Sequence, residues 1–295
     1  MSTQAPHSPV LSAEEAEELR DAHAREMRLR DVLSTGTPLT KILIAVNVVI
    51  WVVAFFWGDT LGIRTPYFNN AQLVLFTGMK VNELVAAGEW WRLISSQFVH
   101  LDVMHIAFNA YGLYVLGPMV ERFYGWKRFL TLYLAAGTAG ALASYFFVSA
   151  PSGGASGAIY GLVGVLLVFG VKYRNELPKR VSKALTRGML PWVAFSIGIG
   201  FLDSLPMDNG AHLGGLFAGG FLVLITRSRL RPEPADKKHR LGDKLAWAGA
   251  ALALLTLLWA GANWTMEVSE CVTGDRAQYF ACYPELEPAL FPRGR

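Results

Sequence analysis

The chain has 295 residues, of which 53% are hydrophobic and only 17% charged, with a mean hydropathy of +0.32 and a formal charge of +4. A water-soluble domain of this size carries about a quarter charged residues, and here the apolar residues come in blocks of membrane-spanning length, so the composition is that of an integral membrane protein. The positive charges cluster in the connections, where they report topology; they give no ground for a nucleic-acid partner.

Residues 1–39 form a polar arm. Ser12 with Glu15 three positions on reads as a capping box opening a charged helix that runs to about Asp31. The first apolar run follows at 40–57. Because about forty polar residues precede it, a retained helix is expected there and not a signal peptide. Residues 58–95 are neither charged nor continuously apolar and end in Trp90-Trp91-Arg92, a pattern of short helices lying in the interface. Further spans are predicted at 96–119, 129–149, 155–171, 188–205 and 210–225. A basic linker (227–244), a seventh span (245–262) and a polar tail (263–295) complete the chain. The fold class is all-α, a polytopic membrane protein.

Lysine and arginine counts orient the spans. The connections after the second, fourth and sixth spans are basic, whereas those after the third and fifth contain neither residue. The basic connections belong in the cytoplasm, which puts the arm inside and the tail outside. Cys271 and Cys282 then face an oxidising compartment and are candidates for a disulfide. Neither belongs to a CxxC pair or a Cys/His cluster, so no metal site is expected.

With this topology Ser156 and His212 sit at matching depth near the outer mouths of spans four and six. Both have glycines around them: Gly154, Gly157, Gly161 and Gly164 beside the serine, Gly210, Gly214, Gly215 and Gly219 beside the histidine. These small-xxx-small spacings let two helix backbones approach closely, which could bring an imidazole nitrogen to a serine hydroxyl, as nucleophile activation requires. In span two, His105 and Asn109 lie four apart and share one face; an imidazole N–H and an amide NH2 can both stabilise a developing oxyanion. The backbone N–H of Ser156 is a third candidate if the Gly153-Gly154 turn opens the helix there. Asp208 precedes His212 by four residues but belongs to the loop, so a Ser-His pair is favoured over a triad. Tyr160, one turn below Ser156, could pack flat on the histidine and hold its orientation. The plainer reading of the same residues is a polar cluster that pins helix packing, with Ser156 bonded to its own helix.

Taken in order, the residues carry a family pattern. Trp91-Arg92 lies in the first external loop, His100 and His105-xxx-Asn109 in span two, and Glu121-xxx-Gly125 after it. Gly154-Ala155-Ser156-Gly157 opens span four and Ala211-His212-Leu213-Gly214-Gly215 opens span six. The chain resembles the rhomboid intramembrane serine proteases over about residues 40–226. The resemblance implies a six-helix core around a water-filled cavity, here with an additional seventh helix. It implies Ser156 as nucleophile and His212 as general base and acid. It also implies an oxyanion site from His105, Asn109 and the Ser156 backbone, shaped by Gly154, with Tyr160 stacked on His212. The substrates implied are transmembrane segments of other proteins, cut in the lipid bilayer near the outer face of a cell membrane, with no cofactor or metal. The alternative within the family is a catalytically silent protein that binds transmembrane segments. A transporter would carry its polar groups near the midplane and show repeats, neither of which the sequence has.

Overall fold

A computed structural model describes residues 12–60, 78–202 and 207–231, together with the single positions 248 and 251, both helical. Most of the seventh span, the tail and both cysteines, Cys271 and Cys282, lie outside the described residues. Among the described residues the fold is helical throughout, apart from one isolated antiparallel bridge between Lys80 and Ser152.

Helix α1 (Ala13–Ser34) begins at the capping box: the Glu15 N–H donates to Ser12 Oγ at 3.2 Å, and the Ser12 N–H to Glu15 Oε2 at 2.8 Å. Its first half is exposed, and only near its end do Leu29 and Val32 enter the core. Helix α2 (Pro38–Thr60) is the first span, started by a proline that needs no donor there. The connection to the second span contains two short helices, α3 (Asn82–Ala86) and α4 (Arg92–Ser95), and a 3-10 turn, Ser96–Phe98.

The next helix, α5 (Val103–Phe147), contains 45 residues but is not one rod, because Gly125 has φ 76° and ψ 158° inside it. Side chains placed on Gly112 and Gly137 would meet Ile159 and Ala158, at 3.2 and 3.0 Å. In a straight helix those two glycines would stand about 37 Å apart, so the chain must reverse at Gly125. The second and third predicted spans are thus two arms, 103–124 and 126–147, joined by a single residue where a longer basic loop was expected. Only glycine fits the pivot: φ is positive, and a Cβ would meet the Arg229 guanidinium at 2.5 Å.

Helix α6 (Ser156–Lys172) is the central pillar, with every residue from 157 to 166 buried. A short helix, α7 (Lys179–Lys183), and a π-turn (Ala184–Gly188) lead into α8 (Leu190–Ile199), in which Val193 is the buried residue. The last described helix is α9 (Asn209–Ile225). Its glycines interlock with those of α6: a Cβ on Gly219 would stand 2.6 Å from the Gly161 carbonyl carbon, and one on Gly215 would stand 2.9 Å from that of Gly157. The small-xxx-small spacing therefore marks the contact between these two helices.

The outward faces of α2, α5, α8 and α9 are largely apolar. Ala13–Phe56, which takes in α1 and most of α2, and Val103–Phe147 are long and apolar enough to cross a membrane, while α6 and α9 are shorter apolar helices. Phe108, Phe147, Phe195, Phe217 and Phe221 are all exposed. Such faces suit lipid and would associate in water.

Candidate active site

Ser156 opens α6. As the first helical residue it leaves its backbone N–H without an intrahelical partner and stands at the positive end of the helix dipole. The turn before it is fixed by glycine chemistry. Gly154 has φ +115°, its N–H donates to the Ser96 carbonyl at 2.8 Å, and a Cβ on it would lie 2.5 Å from His105 Nε2. The backbone that enters α6 therefore passes directly against the His105 ring.

His212 lies in the first turn of α9 and is buried. Its Nε2 is 3.0 Å from Ser156 Oγ, a hydrogen bond whose direction depends on the tautomer. The ring stacks on Tyr160, with centroids 4.1 Å apart and planes 12° from parallel, and Tyr160 stacks in turn on Trp192 of α8 at 6.0 Å. Nδ1 has no hydrogen-bond partner among the described residues. The Asp208 carboxylate is used elsewhere: it accepts the Ala211 N–H at 2.8 Å and the Ser144 hydroxyl.

His105 and Asn109 stand on the first arm of α5. Asn109 Nδ2 donates to the His105 carbonyl at 2.9 Å, which leaves the second amide hydrogen for another acceptor. The same amide nitrogen would be 3.5 Å from a Cβ on Gly154. Gly154, His105, Asn109 and the start of α6 therefore line one pocket edge. His100 is buried edge-on to His105, with centroids 5.1 Å apart, and its Nε2 accepts the Ala155 N–H at 3.3 Å. It thus holds the residue immediately before Ser156.

Of the remaining predicted residues, Trp91, Arg92 and Glu121 make their contacts elsewhere, whereas Gly157 directly follows Ser156. Arg92 is buried, pairs with Glu89 at 2.5 Å, donates to the Met79 carbonyl at 3.1 Å and lies over the Trp91 ring at 4.6 Å. This group braces the connection that carries α3 and α4. Glu121, also buried, caps α2 by accepting from the Leu39 N–H, the Thr40 N–H and the Thr40 hydroxyl at 2.9, 2.8 and 2.7 Å. Gly157 is an interlocking position.

Several buried polar residues escaped the sequence reading, Lys80 and Ser144 among them. Lys80 is fully buried, with Nζ donating to Asn82 Oδ1 and to the Val148 and Ala150 carbonyls, each at 2.9 Å. Its one signal is a lysine enclosed by Met79 and Val81. Ser144 is equally buried and carries no signal among the small residues around it.

Comparison with known proteins gives the family. The rhomboid domain matches residues 87–229. Rhomboid protease GluP of Bacillus subtilis (strain 168) is 39% identical over 191 residues, covering 64% of this chain and 35% of GluP. RHOMBOID-like protein 9, chloroplastic, of Arabidopsis thaliana is 31% identical over 157 residues, covering 53% of this chain and 36% of that protein. The chain thus spans about a third of the length of these two. The rhomboid-family protein YdcA of Bacillus subtilis (strain 168) is 33% identical over 197 residues, covering 63% of this chain and 86% of its own length. With similarity running through nearly the whole of YdcA, the chain belongs to the membrane-embedded rhomboid family.

Proposed function

We propose that this protein is an intramembrane serine endopeptidase that hydrolyses peptide bonds in or near transmembrane segments of other membrane proteins. The observation that carries this reading is the 3.0 Å approach of His212 Nε2 to Ser156 Oγ, on a ring held flat against Tyr160. With the neutral ring protonated at Nδ1, Nε2 takes the hydroxyl proton as Oγ attacks the scissile carbonyl. Negative charge then develops on the substrate oxygen at the start of α6. There the Ser156 N–H, the free hydrogen of the Asn109 amide and the His105 ring are the donors on hand. Collapse of the tetrahedral intermediate expels the amine, which takes the proton from His212. Water, activated by the same ring, then releases the acyl group. No step calls for a cofactor or metal.

The domain reading belongs to the same proposal. A catalytic core at 40–226 is flanked by a cytoplasmic arm (1–39) and linker (227–244), a seventh helix (245–262) and an external tail (263–295), in a cell membrane. The test uses the full chain in liposomes with a tagged single-span substrate whose helix contains Gly and Ala. Cleavage that is lost in both Ser156→Ala and His212→Ala supports the dyad. Cleavage that survives Ser156→Ala sinks it. Equal binding of substrate by all three proteins, with no cleavage, would favour a silent binding protein.

A further inference from the structure

A polar cluster at the end of α5 is left unused by the proposed reaction. Ser144, fully buried, donates its hydroxyl to Asp208 Oδ2, and the other carboxylate oxygen accepts the Ala211 N–H at 2.8 Å. His212 is the next residue, and its own N–H bonds to the Asp208 carbonyl at 3.0 Å. One residue therefore closes the first turn of α9 and ties it sideways to α5. On the far side of the same segment the Lys80 ammonium holds the Val148 and Ala150 carbonyls, and the Lys80 backbone exchanges both hydrogen bonds with Ser152 at 2.8 and 2.9 Å. Residues 144–152 thus anchor both the chain entering Ser156 and the turn carrying His212.

We propose that Asp208 is a positioning residue for His212, acting through the helix turn and not on the reacting atoms. The inference rests on the dyad reading above. Among the described residues nothing hydrogen-bonds Nδ1 from behind, as the acid of a triad would. Tyr160 fixes the plane of the ring, but a flat stack leaves the ring free to slide within that plane. What opposes sliding is the placement of the backbone from which His212 projects, and Asp208 sets that placement through the Ala211 N–H on one side and Ser144 on the other. Among the described residues, Lys80 and Glu83 on the α3 side of this cluster and His105 across the pocket are the charged or titratable groups around it, and all three are retained in the test.

The experiment compares Asp208→Ala, Asp208→Asn and Ser144→Ala with the parent, each as full-length protein in liposomes. It reads kcat and KM for a single-span substrate, the rate at which a fluorophosphonate labels Ser156, and thermal melting to normalise for folded protein. Asparagine keeps an acceptor for the Ala211 N–H and can donate to Ser144 Oγ, so it preserves the geometry without the charge. The expected result is a drop of about 10- to 100-fold in kcat for Asp208→Ala, with KM within about twofold and labelling slowed in the same ratio. Asp208→Asn restores most of kcat with the parent's pH–rate profile, and Ser144→Ala falls between. Parent-like kcat and labelling in Asp208→Ala overturn the proposal. So does an Asp208→Asn protein as slow as the alanine variant with a displaced pH profile, because then charge acts and not position. Failure of the dyad itself shows separately, as labelling or cleavage that persists in Ser156→Ala.

Discussion

Gly215→Ala tests how tightly the dyad depends on the α6–α9 contact. A Cβ on Gly215 would lie 2.9 Å from the Gly157 carbonyl carbon, 3.4 Å from its Cα and closer still to its oxygen. Carbon atoms rest at about 3.5–4.0 Å, so the shortfall is roughly 0.6–1.1 Å at the carbonyl carbon and larger at its oxygen. Both sides of this contact are backbone, which has no rotamer to yield, so the helices must part by about that distance. Gly157 adjoins Ser156 and Gly215 lies one turn below His212, so the parting falls on the dyad. It lengthens the 3.0 Å hydrogen bond to about 4 Å, beyond effective reach. Overpacking of this kind costs about 1–3 kcal/mol of stability, and a misplacement of about 1 Å costs on the order of 100-fold in rate. The assay is cleavage in liposomes alongside thermal melting. Gly198→Ala in α8, where a Cβ would meet nothing within 4 Å, serves as the control and should keep the parent's rate. A Gly215→Ala protein that cuts at the parent's rate would refute the reasoning.

Three further outcomes follow from the same structure. Gly154→Ala forces an alanine to φ +115° against the His105 ring and should lower kcat by about 100-fold or more while leaving melting within a few degrees; unchanged kcat would remove Gly154 from the pocket. Glu121→Ala strips α2 of its anionic cap and should destabilise the fold by about 1.5–3 kcal/mol, with cleavage per folded molecule close to the parent's; loss of activity without loss of stability would contradict a capping role. Lys80 gives a pH signature. Burial holds its ammonium below the ordinary 10.5, opposed by the charges of Asp208 and Glu83. Between that lowered value and 10.5 the unfolded chain binds more protons than the folded one, so the parent gains stability as pH rises through this window and Lys80→Met does not. Parallel melting-temperature curves for the two proteins would reject the assignment.

The sequence made legible whatever depended on period and punctuation. Apolar runs located the long helices among the described residues, and the glycine spacings located the α6–α9 contact. Ser156 and His212 could be paired because the charge of the connections put both helix mouths on one side. What stayed hidden was tertiary. The reversal at Gly125 occupies one residue, yet the charges around it suggested a longer loop, because its φ and the Arg229 side chain above it leave no local signature. Lys80 passed unnoticed in the loop, since two of its three acceptors are carbonyls about seventy positions away. Glu121 stood out only as part of the Glu121-xxx-Gly125 pattern after span two, and its capping of α2 joins positions about eighty apart. Asp208 was placed in the loop, and its value to the α9 turn depends on a serine in a different span.

At the far end of the core, the segment after α9 bonds to α1, α5 and the end of α6. Ser228 Oγ and the Arg229 N–H bond to the Phe123 carbonyl at 3.0 and 2.8 Å, the Tyr173 hydroxyl accepts the Ser228 N–H at 3.0 Å, and Arg28 of α1 reaches the Leu230 carbonyl at 3.3 Å. Chain entering the helical core and chain leaving it therefore meet at one seam, roughly 25 Å along α6 from Ser156. A core whose ends coincide is nearly circular. Domains fused, exchanged or lost at either end pull on the same small patch of backbone, with Ser156 and His212 the length of the central helix away.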